Sequence, residues 1–331
     1  MMLTEKYRPR TLDDVVGHTH IVKAMKTFVK EYREGNTGLP HFMFSGPPGT
    51  GKTSVAKALA KDLYGSNWKP NFTDKNASDD RGINIVRGEI KRIAQTKTAG
   101  DAPFRIIFLD ECDHLTRDAQ AALRRIMEDN ATNCRFILSC NYPSKIIEPI
   151  HGRCMEFRFA PVEPTFVQEF LSTIAKNEKI SITDRGVETL AEVCNGDLRK
   201  AVNGLEKLRT IFSNIDDTDV YRHMYTLDKK VSRKILAVMF DKDKSLSDRL
   251  LELDAEIYRI YYEGYGMDDV LNKLLDNIME SKLSPNVKAT FVSKLADIEY
   301  YIISGAQPIH MMRAFLAWMT CQVNVLMKRR N

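Results

Sequence analysis

Residues 46–53, Gly-Pro-Pro-Gly-Thr-Gly-Lys-Thr, constrain the fold of this chain more than any other stretch. They match GxxxxGK[ST], a pattern with a mechanism behind it. Its glycines let successive backbone N–H groups curl around phosphate oxygens, and the helix that follows adds partial positive charge. Such a loop must leave a strand and open a helix. The flanks comply: His41-Phe-Met-Phe-Ser45 is a short apolar run, and Lys52–Leu63 has a helical pattern. The cradle then comprises Gly46, Pro47, Pro48, Gly49, Thr50, Gly51, Lys52 and Thr53. In it Lys52 reaches the β- and γ-phosphates of a nucleotide, and the Thr53 hydroxyl ligates Mg²⁺.

A second signal completes the site. Ile106-Ile-Phe-Leu109 is a buried-strand run ending in Asp110-Glu111-Cys112-Asp113. An acid at the end of such a strand can hold Mg²⁺, which is the role expected of Asp110. Glu111, one residue on, can orient and polarise an attacking water, which points to ATP hydrolysis rather than binding alone. Asp113 is expected only to cap the loop or helix that follows. Ser139-Cys140-Asn141 ends the next strand, and ligands of doubly wound sheets sit at the carboxyl ends of strands. That puts Asn141 between Lys52 and Glu111, where its amide can bond the γ-phosphate or the water.

Apolar runs at 41–45, 105–110 and 135–140, with 72–76 and 155–159, alternate with helical stretches. The pattern predicts an α/β domain with a five-stranded parallel sheet. After Pro161 and Pro164 it turns helical, at Phe166–Asn177, Asp184–Cys194 and Asp197–Ile211, and from about 220 it reads as all helix. The expected domains are 1–160 for nucleotide binding, 161–226 as a small helical lid and 227–331 as an all-α domain. A length of 331 residues accommodates two or three domains. No apolar run reaches the ~18 residues of a membrane span, and no secretory signal is visible. Six cysteines without a CxxC pair read as free thiols of a reducing compartment.

With these motifs in place, the chain resembles the small subunit of replication factor C, the AAA+ clamp loader of archaea and eukaryotes. The matching residues are Glu5-Lys6-Tyr7-Arg8-Pro9, Asp14-Val-Val-Gly17, Gly46–Thr53, Asn76–Gly82, Phe108–Cys112, Ala122–Arg125, Ser139–Asn141 and Gly196-Asp-Leu-Arg199. They cover 1–199 densely; the last third matches in length and helical character, as that family's collar domain does. The resemblance implies that Tyr7, Pro9, Val15 and Val16 line an adenine pocket. It makes Asn141 sensor 1 and Arg199 a sensor 2 that reaches the γ-phosphate from the lid. It makes Arg153 a finger that enters a neighbouring subunit's ATP site. It implies a hetero-oligomer, a pentamer in that family, of a large subunit and small subunits. Such an assembly opens a PCNA-type ring and closes it around primer–template DNA. The alternatives are another AAA+ DNA motor, such as a branch-migration helicase, or an ATP-binding scaffold or initiator that does not hydrolyse.

Two positions depart from the family pattern. His151-Gly-Arg-Cys154 stands where the family has Ser-Arg-Cys, which puts the local backbone geometry in doubt. His18 replaces the usual Gln or Asn, which weakens any role for that side chain. The basic residues cluster in 81–100, where Arg81, Arg87, Lys91, Arg92 and Lys97 face one acid, Glu89. Ile83, Val86, Ile90 and Ile93 make an apolar stripe at helical spacing over 83–95, and Asn84, Arg87 and Lys91 a polar one. Arg81, Arg87 and Lys91 can touch successive DNA phosphates without reading bases; a solvated helix face is the other reading. The family also suggests a clamp contact near the end of this helix and its loop, Thr96–Ala102. Arg124 and Arg125 fit either a DNA face or the nucleotide site. The expected location is the cytoplasm, or the nucleus in a eukaryote.

Overall fold

Strands β1 (His41–Ser45), β2 (Phe72–Asn76), β3 (Arg105–Asp110), β4 (Cys134–Cys140) and β5 (Cys154–Arg158) form one sheet in the order β2-β3-β4-β1-β5. Every pair is parallel. The structure is a computed structural model, and it describes residues 2–35, 38–78, 86–100, 102–224 and 229–328. The five strands fall within a residue of where the apolar runs put them.

Both faces of the sheet are covered, which is why its strands read as continuous apolar runs. Phe42, Phe44, Ile106 and Phe108 point to one side, against Ile21, Met25 and Val29 of helix Thr19–Arg33 and Val55 and Leu59 of helix Lys52–Tyr64. Met43, Ile107, Leu109 and Leu138 point to the other, against Leu123 and Met127 of helix Arg117–Asp129. Helices Pro164–Glu178, Asp184–Val193 and Leu198–Ile211 pack together beyond β5 in the chain. The second and third are capped by Thr183 and Asp197, whose side chains accept the N–H groups of Gly186 and Lys200.

The chain divides into two compact units, Met1–Ile215 and Asp216–Asn331. The first holds the sheet and the three helices just named. In the second, described residues form helices Asp217–His223, Lys229–Met239, Leu246–Tyr262, Met267–Glu280, Pro285–Ile303 and Pro308–Lys328. Ile257, Leu274, Phe291, Phe315 and Met319 make its core. Among the described residues, no helix is long and apolar enough to cross a membrane.

The basic segment differs from the single α-helix expected over 83–95. Val86–Ile90 is π-helical and Lys91–Gln95 α-helical, while Arg81, Gly82, Ile83 and Asn84 lie outside the described residues. The wider turn changes the register, so the buried stripe runs Val86, Ile90, Ala94, and Ile93 is only half-buried.

All six cysteines are free thiols. Burial pushes the Cys134, Cys140, Cys154 and Cys194 thiols up to about 12, which keeps them protonated and unreactive.

One titratable group is built into the sheet. His41 Nδ1 accepts the Phe136 N–H at 2.9 Å, so the ring must stay neutral to keep that bond. Burial pushes its pKa down to about 4, with the Arg135 charge acting in the same direction. In the unfolded chain the ring takes up its proton near pH 6.5. The unfolded state therefore binds the proton first, and stability falls as pH drops from about 6.5 towards 4. His41→Gln supplies a carbonyl acceptor that does not titrate. Urea unfolding of both proteins near pH 7 and pH 4.5 should show the native chain losing roughly 2 kcal/mol more than the variant. Equal losses would remove His41 from the acid sensitivity of the fold.

Candidate nucleotide-binding site

The strand order puts the carboxyl ends of β3, β4 and β1 side by side. The Gly46 N–H donates to Cys140 O at 3.1 Å, so the Gly46–Thr53 loop and Asn141 leave the sheet from the same level. Gly51 starts helix Lys52–Tyr64 with φ +98°, a left-handed conformation that few other residues adopt cheaply. Lys52 Nζ donates to Gly46 O at 2.6 Å, Pro47 O at 2.8 Å and Asn141 Oδ1 at 3.1 Å. Burial lowers its pKa, and the Asp110 carboxylate opposes that shift. Thr53 Oγ1 donates to Asp110 Oδ2 at 2.9 Å.

Glu111 stands just past the strand in a left-handed conformation, φ +54°. Its own N–H is tied to Asp110 Oδ1 at 3.1 Å. Its carboxylate stays half-exposed at the mouth of the cleft, with Oε2 3.5 Å from His114 Nδ1. Asp113 does more than cap a turn. It is 5% exposed, and its two carboxylate oxygens accept the N–H groups of Asn141 and Tyr142, each at 3.3 Å. The residue expected to be incidental thus fixes the loop that carries Asn141.

A cleft of about 180 Å³ joins these groups to the N-terminal segment and to helices Pro164–Glu178 and Leu198–Ile211. Tyr7, Pro9, Val15 and Val16 line one end, and Pro48, Gly49, Thr50, Gly51, Lys52, Thr53, Asp110, Glu111, Asn141 and Arg199 line the rest. Gly46 and Pro47 are not on the wall; they act from behind it, through the carbonyls that hold Lys52. Phe170 and Val202 also line the cleft. Sequence reasoning missed both, since each is one apolar position among several on an amphipathic helix.

Arg199 is placed by contact between helix and loop. Leu198 N–H donates to Gly49 O at 3.2 Å, and a Cβ on Gly49 would lie 1.8 Å from Asp197 Oδ1. Glycine is needed there for that close approach. The N-terminal segment is tied to the same helices. Tyr7 OH donates to Glu178 Oε1 at 2.7 Å, and Lys6 Nζ pairs with that oxygen at 2.6 Å. The Lys6 hydrogen bond, then that of Tyr7, holds the Glu178 carboxyl below the usual range, while burial first and Glu178 second push the Tyr7 phenol up.

Hard oxygen donors suit Mg²⁺, which keeps few protein ligands and takes the rest from phosphates and water. The Thr53 hydroxyl and Asp110 carboxylate fit that description. The described residues hold no group of three or more His, Cys, Asp or Glu side chains that would suggest another metal.

Arg153 lies elsewhere. It follows the short helix Glu148–His151 and precedes β5, whose Cys154 pairs with His41 at the start of β1. The Gly46–Thr53 loop leaves the other end of β1, five residues away, or about 16 Å at strand rise. The guanidinium donates to Pro149 O at 2.7 Å and pairs with Glu128, which Arg124 also approaches at 3.4 Å. Arg124 thus belongs to the Arg153 edge, and Arg125 is exposed. Gly152 has ordinary right-handed geometry, φ −65°, and a Cβ there would meet nothing closer than Glu148 O at 4.0 Å. A serine would fit, so the departure leaves the backbone unchanged. Of the basic-segment residues, Arg87 and Lys91 are exposed, and Arg81 lies outside the described residues.

His18 has a definite contact, contrary to expectation. Its Nε2 lies 3.0 Å from Thr50 O and must carry the proton to bond it; the ring meets Phe159 edge-on. Burial lowers its pKa, which favours the neutral ring.

The chain matches the ATPase family associated with various cellular activities (AAA) over residues 42–162. It matches the RCF1/5-like AAA+ ATPase lid domain over 169–210 and the replication factor C C-terminal domain over 228–318. It is 42% identical over 318 residues to the replication factor C small subunit of Archaeoglobus fulgidus, covering 96% of each chain. With that of Methanococcus vannielii it shares 40%, covering 95% of this chain and 97% of the other. Among solved structures, the RuvB Holliday junction branch migration motor of Thermotoga maritima superposes with a TM-score of 0.56 at 17% identity. The match covers 75% of this chain and 85% of that one. At that identity the likeness shows the AAA+ fold alone, and the branch-migration alternative gains no support from it.

The His18 contact makes a direct prediction. His18→Ala removes the donor to Thr50 and should weaken nucleotide affinity roughly two- to tenfold, the worth of one hydrogen bond. His18→Gln can supply an amide N–H and should bind nearly as the native chain does. Titration with a fluorescent nucleotide checks both, and native affinity in His18→Ala would show that the loop does not depend on this contact.

Proposed function

The chain belongs to the replication factor C small-subunit family, ATPase subunits of clamp loaders, and on that footing we propose how its own residues bind ATP, hydrolyse it and load a clamp. The supporting observation is the convergence of Lys52, Thr53, Asp110, Glu111 and Asn141 at three adjacent strand ends. Family membership implies a complex with other subunits. We take the assembly to be a pentamer of a large subunit and small subunits, the clamp a PCNA-type ring, the substrate primer–template DNA and the location the cytoplasm, in line with the archaeal relatives. We divide the chain at 160/161 and 226/227 into ATPase, lid and collar domains, close to the three family matches.

In this mechanism the loop N–H groups and Lys52 bind the β- and γ-phosphates, and the base lies against Tyr7, Pro9, Val15 and Val16. Thr53 and Asp110 would hold Mg²⁺, which when bound neutralises charge on the phosphates. Glu111 orients a water and takes its proton as the water oxygen attacks the γ-phosphorus. The bond to the β–γ bridging oxygen breaks, leaving ADP and phosphate. Asn141, held by Asp113, bonds the γ-phosphate or the water, and Arg199 approaches from the lid. Arg153 stabilises charge on the γ-phosphoryl group of a neighbouring subunit, because its own cleft is a strand length away. Arg81, Arg87 and Lys91 contact DNA phosphates. ATP acts by differential affinity: the ATP-bound assembly holds clamp and DNA, and the ADP-bound one lets go.

Lys52→Ala should abolish productive ATP binding, since the phosphate charge loses its fixed cation. Glu111→Gln should keep ATP affinity and lose turnover, leaving the assembly bound to its clamp. Affinity and turnover measured side by side decide, and full turnover in Glu111→Gln would reject its role.

Arg153→Ala should leave ATP binding intact but slow hydrolysis by ~10³-fold or more, as the loss of such fingers does in related sites. Arg153→Lys should restore little, because the planar fork is lost. Mixing Arg153→Ala with Lys52→Ala protein, where the subunits co-assemble, should recover part of the turnover at interfaces that pair an intact Lys52 with a neighbour's intact Arg153. Mixed assemblies as inactive as their parents would overturn action in trans.

A further inference from the structure

Two buried polar side chains outside the nucleotide cleft grip the same stretch of backbone. Asn71, at the end of the short helix before β2, is fully buried. Its Nδ2 donates to Ala99 O at 2.9 Å, and its Oδ1 accepts the Ala99 N–H at 2.9 Å. Arg105 opens β3 and is 8% exposed. One terminal nitrogen donates to Ile93 O at 3.3 Å, the other to Pro70 O at 3.3 Å and Lys97 O at 3.4 Å.

Buried amide and guanidinium groups are costly to desolvate, and well-packed apolar side chains of similar volume often serve stability as well or better. What the polar groups add is a fixed position for the main chain they bond. Together they hold residues 93, 97 and 99, where the basic segment ends and its loop begins. That segment carries Arg87 and Lys91 on its exposed side, and Lys75 of β2 pairs with its Glu89 at 2.6 Å. The strand that starts at Arg105 ends at Asp110, with Glu111 next. It is hydrogen-bonded to a neighbour on each side and buried from Arg105 through Leu109. A strand so confined is held rigid along its length.

We propose that Arg105 and Asn71 are positioning residues that fix the end of the basic segment to the starts of the paired strands β3 and β2, so that DNA phosphates held by Arg87 and Lys91 bear on Asp110 and Glu111 through β3. The coupling rests on the DNA-contact reading above; the clasp does not. Rigid elements packed end to end between two sites are the kind of structure that carries such coupling.

The test uses the full chain in its assembled form, with Arg105→Met and Asn71→Leu, which keep much of the volume and lose the polar bonds. Amide hydrogen exchange across 91–99 should quicken roughly tenfold in either variant. Nucleotide affinity and turnover without DNA should match the native protein. The increase in turnover that primer–template DNA produces should shrink by roughly two- to thirtyfold, the range expected when a coupling element is loosened. A residue that served stability alone would lower the thermal midpoint and leave the DNA increment of the folded protein intact. If Arg105→Met does not fold, Arg105→Lys takes its place, keeping the charge but not the fork that spans three carbonyls. Native exchange across 91–99, or faster exchange with the DNA increment intact, overturns the proposal. Native turnover that DNA does not change overturns the DNA reading itself, and needs no variant to show it.

Discussion

The parallel register of β3, β4 and β1 is the constraint on which the site depends. Phe42 pairs with Ile137 and Ile107 with Phe136, so three strands reach their carboxyl ends nearly together. The ladder continues one step beyond them: Gly46 N–H bonds Cys140 O, and Phe159 N–H bonds Ser45 O at 2.7 Å. Lys52, Asn141 and Asp110 then meet without long side-chain reach. A register slip of one residue in β4 would move Asn141 by about 3.3 Å and turn its side chain to the other face. The apolar pattern of these strands, buried on both faces, thus supports the chemistry as well as the fold.

Much of this was legible in the sequence, for physical reasons that differ between elements. The Gly46–Thr53 loop and Asp110-Glu111 are local in sequence, and their geometry follows from a strand-to-turn transition that the residues themselves specify. The five strands were legible because a fully covered parallel sheet needs unbroken apolar runs. The π-helical turn at Val86–Ile90 was not, because its signal is a tertiary fit: Ala94 rather than Ile93 completes the buried stripe. The second roles of Asp113 and His18 were not legible either. Each bonds a backbone group 28 or more residues away, and no spacing rule carries that information.

The two departures from the family pattern differ in what they ask of the structure. At Gly152 the backbone lies in a region open to every residue, so the identity of that residue leaves the Arg153 main chain where it is. At His18 the backbone is left-handed, φ +49°, a conformation that histidine, asparagine and aspartate tolerate better than most residues. The imidazole also supplies a donor to Thr50 O. The histidine is therefore a chemical substitute for an amide side chain, since either can present an N–H to the same carbonyl.

The Arg153 edge shows how a group can be held and still be available. Its pair with Glu128 is about one-third exposed on both sides. Ion pairs this exposed are worth about 0–1 kcal/mol, so water and salt compete for them readily. A triphosphate offers the guanidinium more negative charge than one carboxylate, in a bidentate geometry that the planar fork matches. A buried pair would have locked the arginine in place, because separating it would strand a charge away from water. Glu128 instead orients the guanidinium at low cost to its release, and Arg124 shares the same carboxylate oxygen. In the proposed action in trans, transfer to a neighbouring subunit's nucleotide exchanges a weak pair for a stronger one. On the proposed reading, that gain appears only when a second subunit presents its ATP at this edge, which ties hydrolysis to assembly by electrostatics rather than by a change in the fold of either subunit.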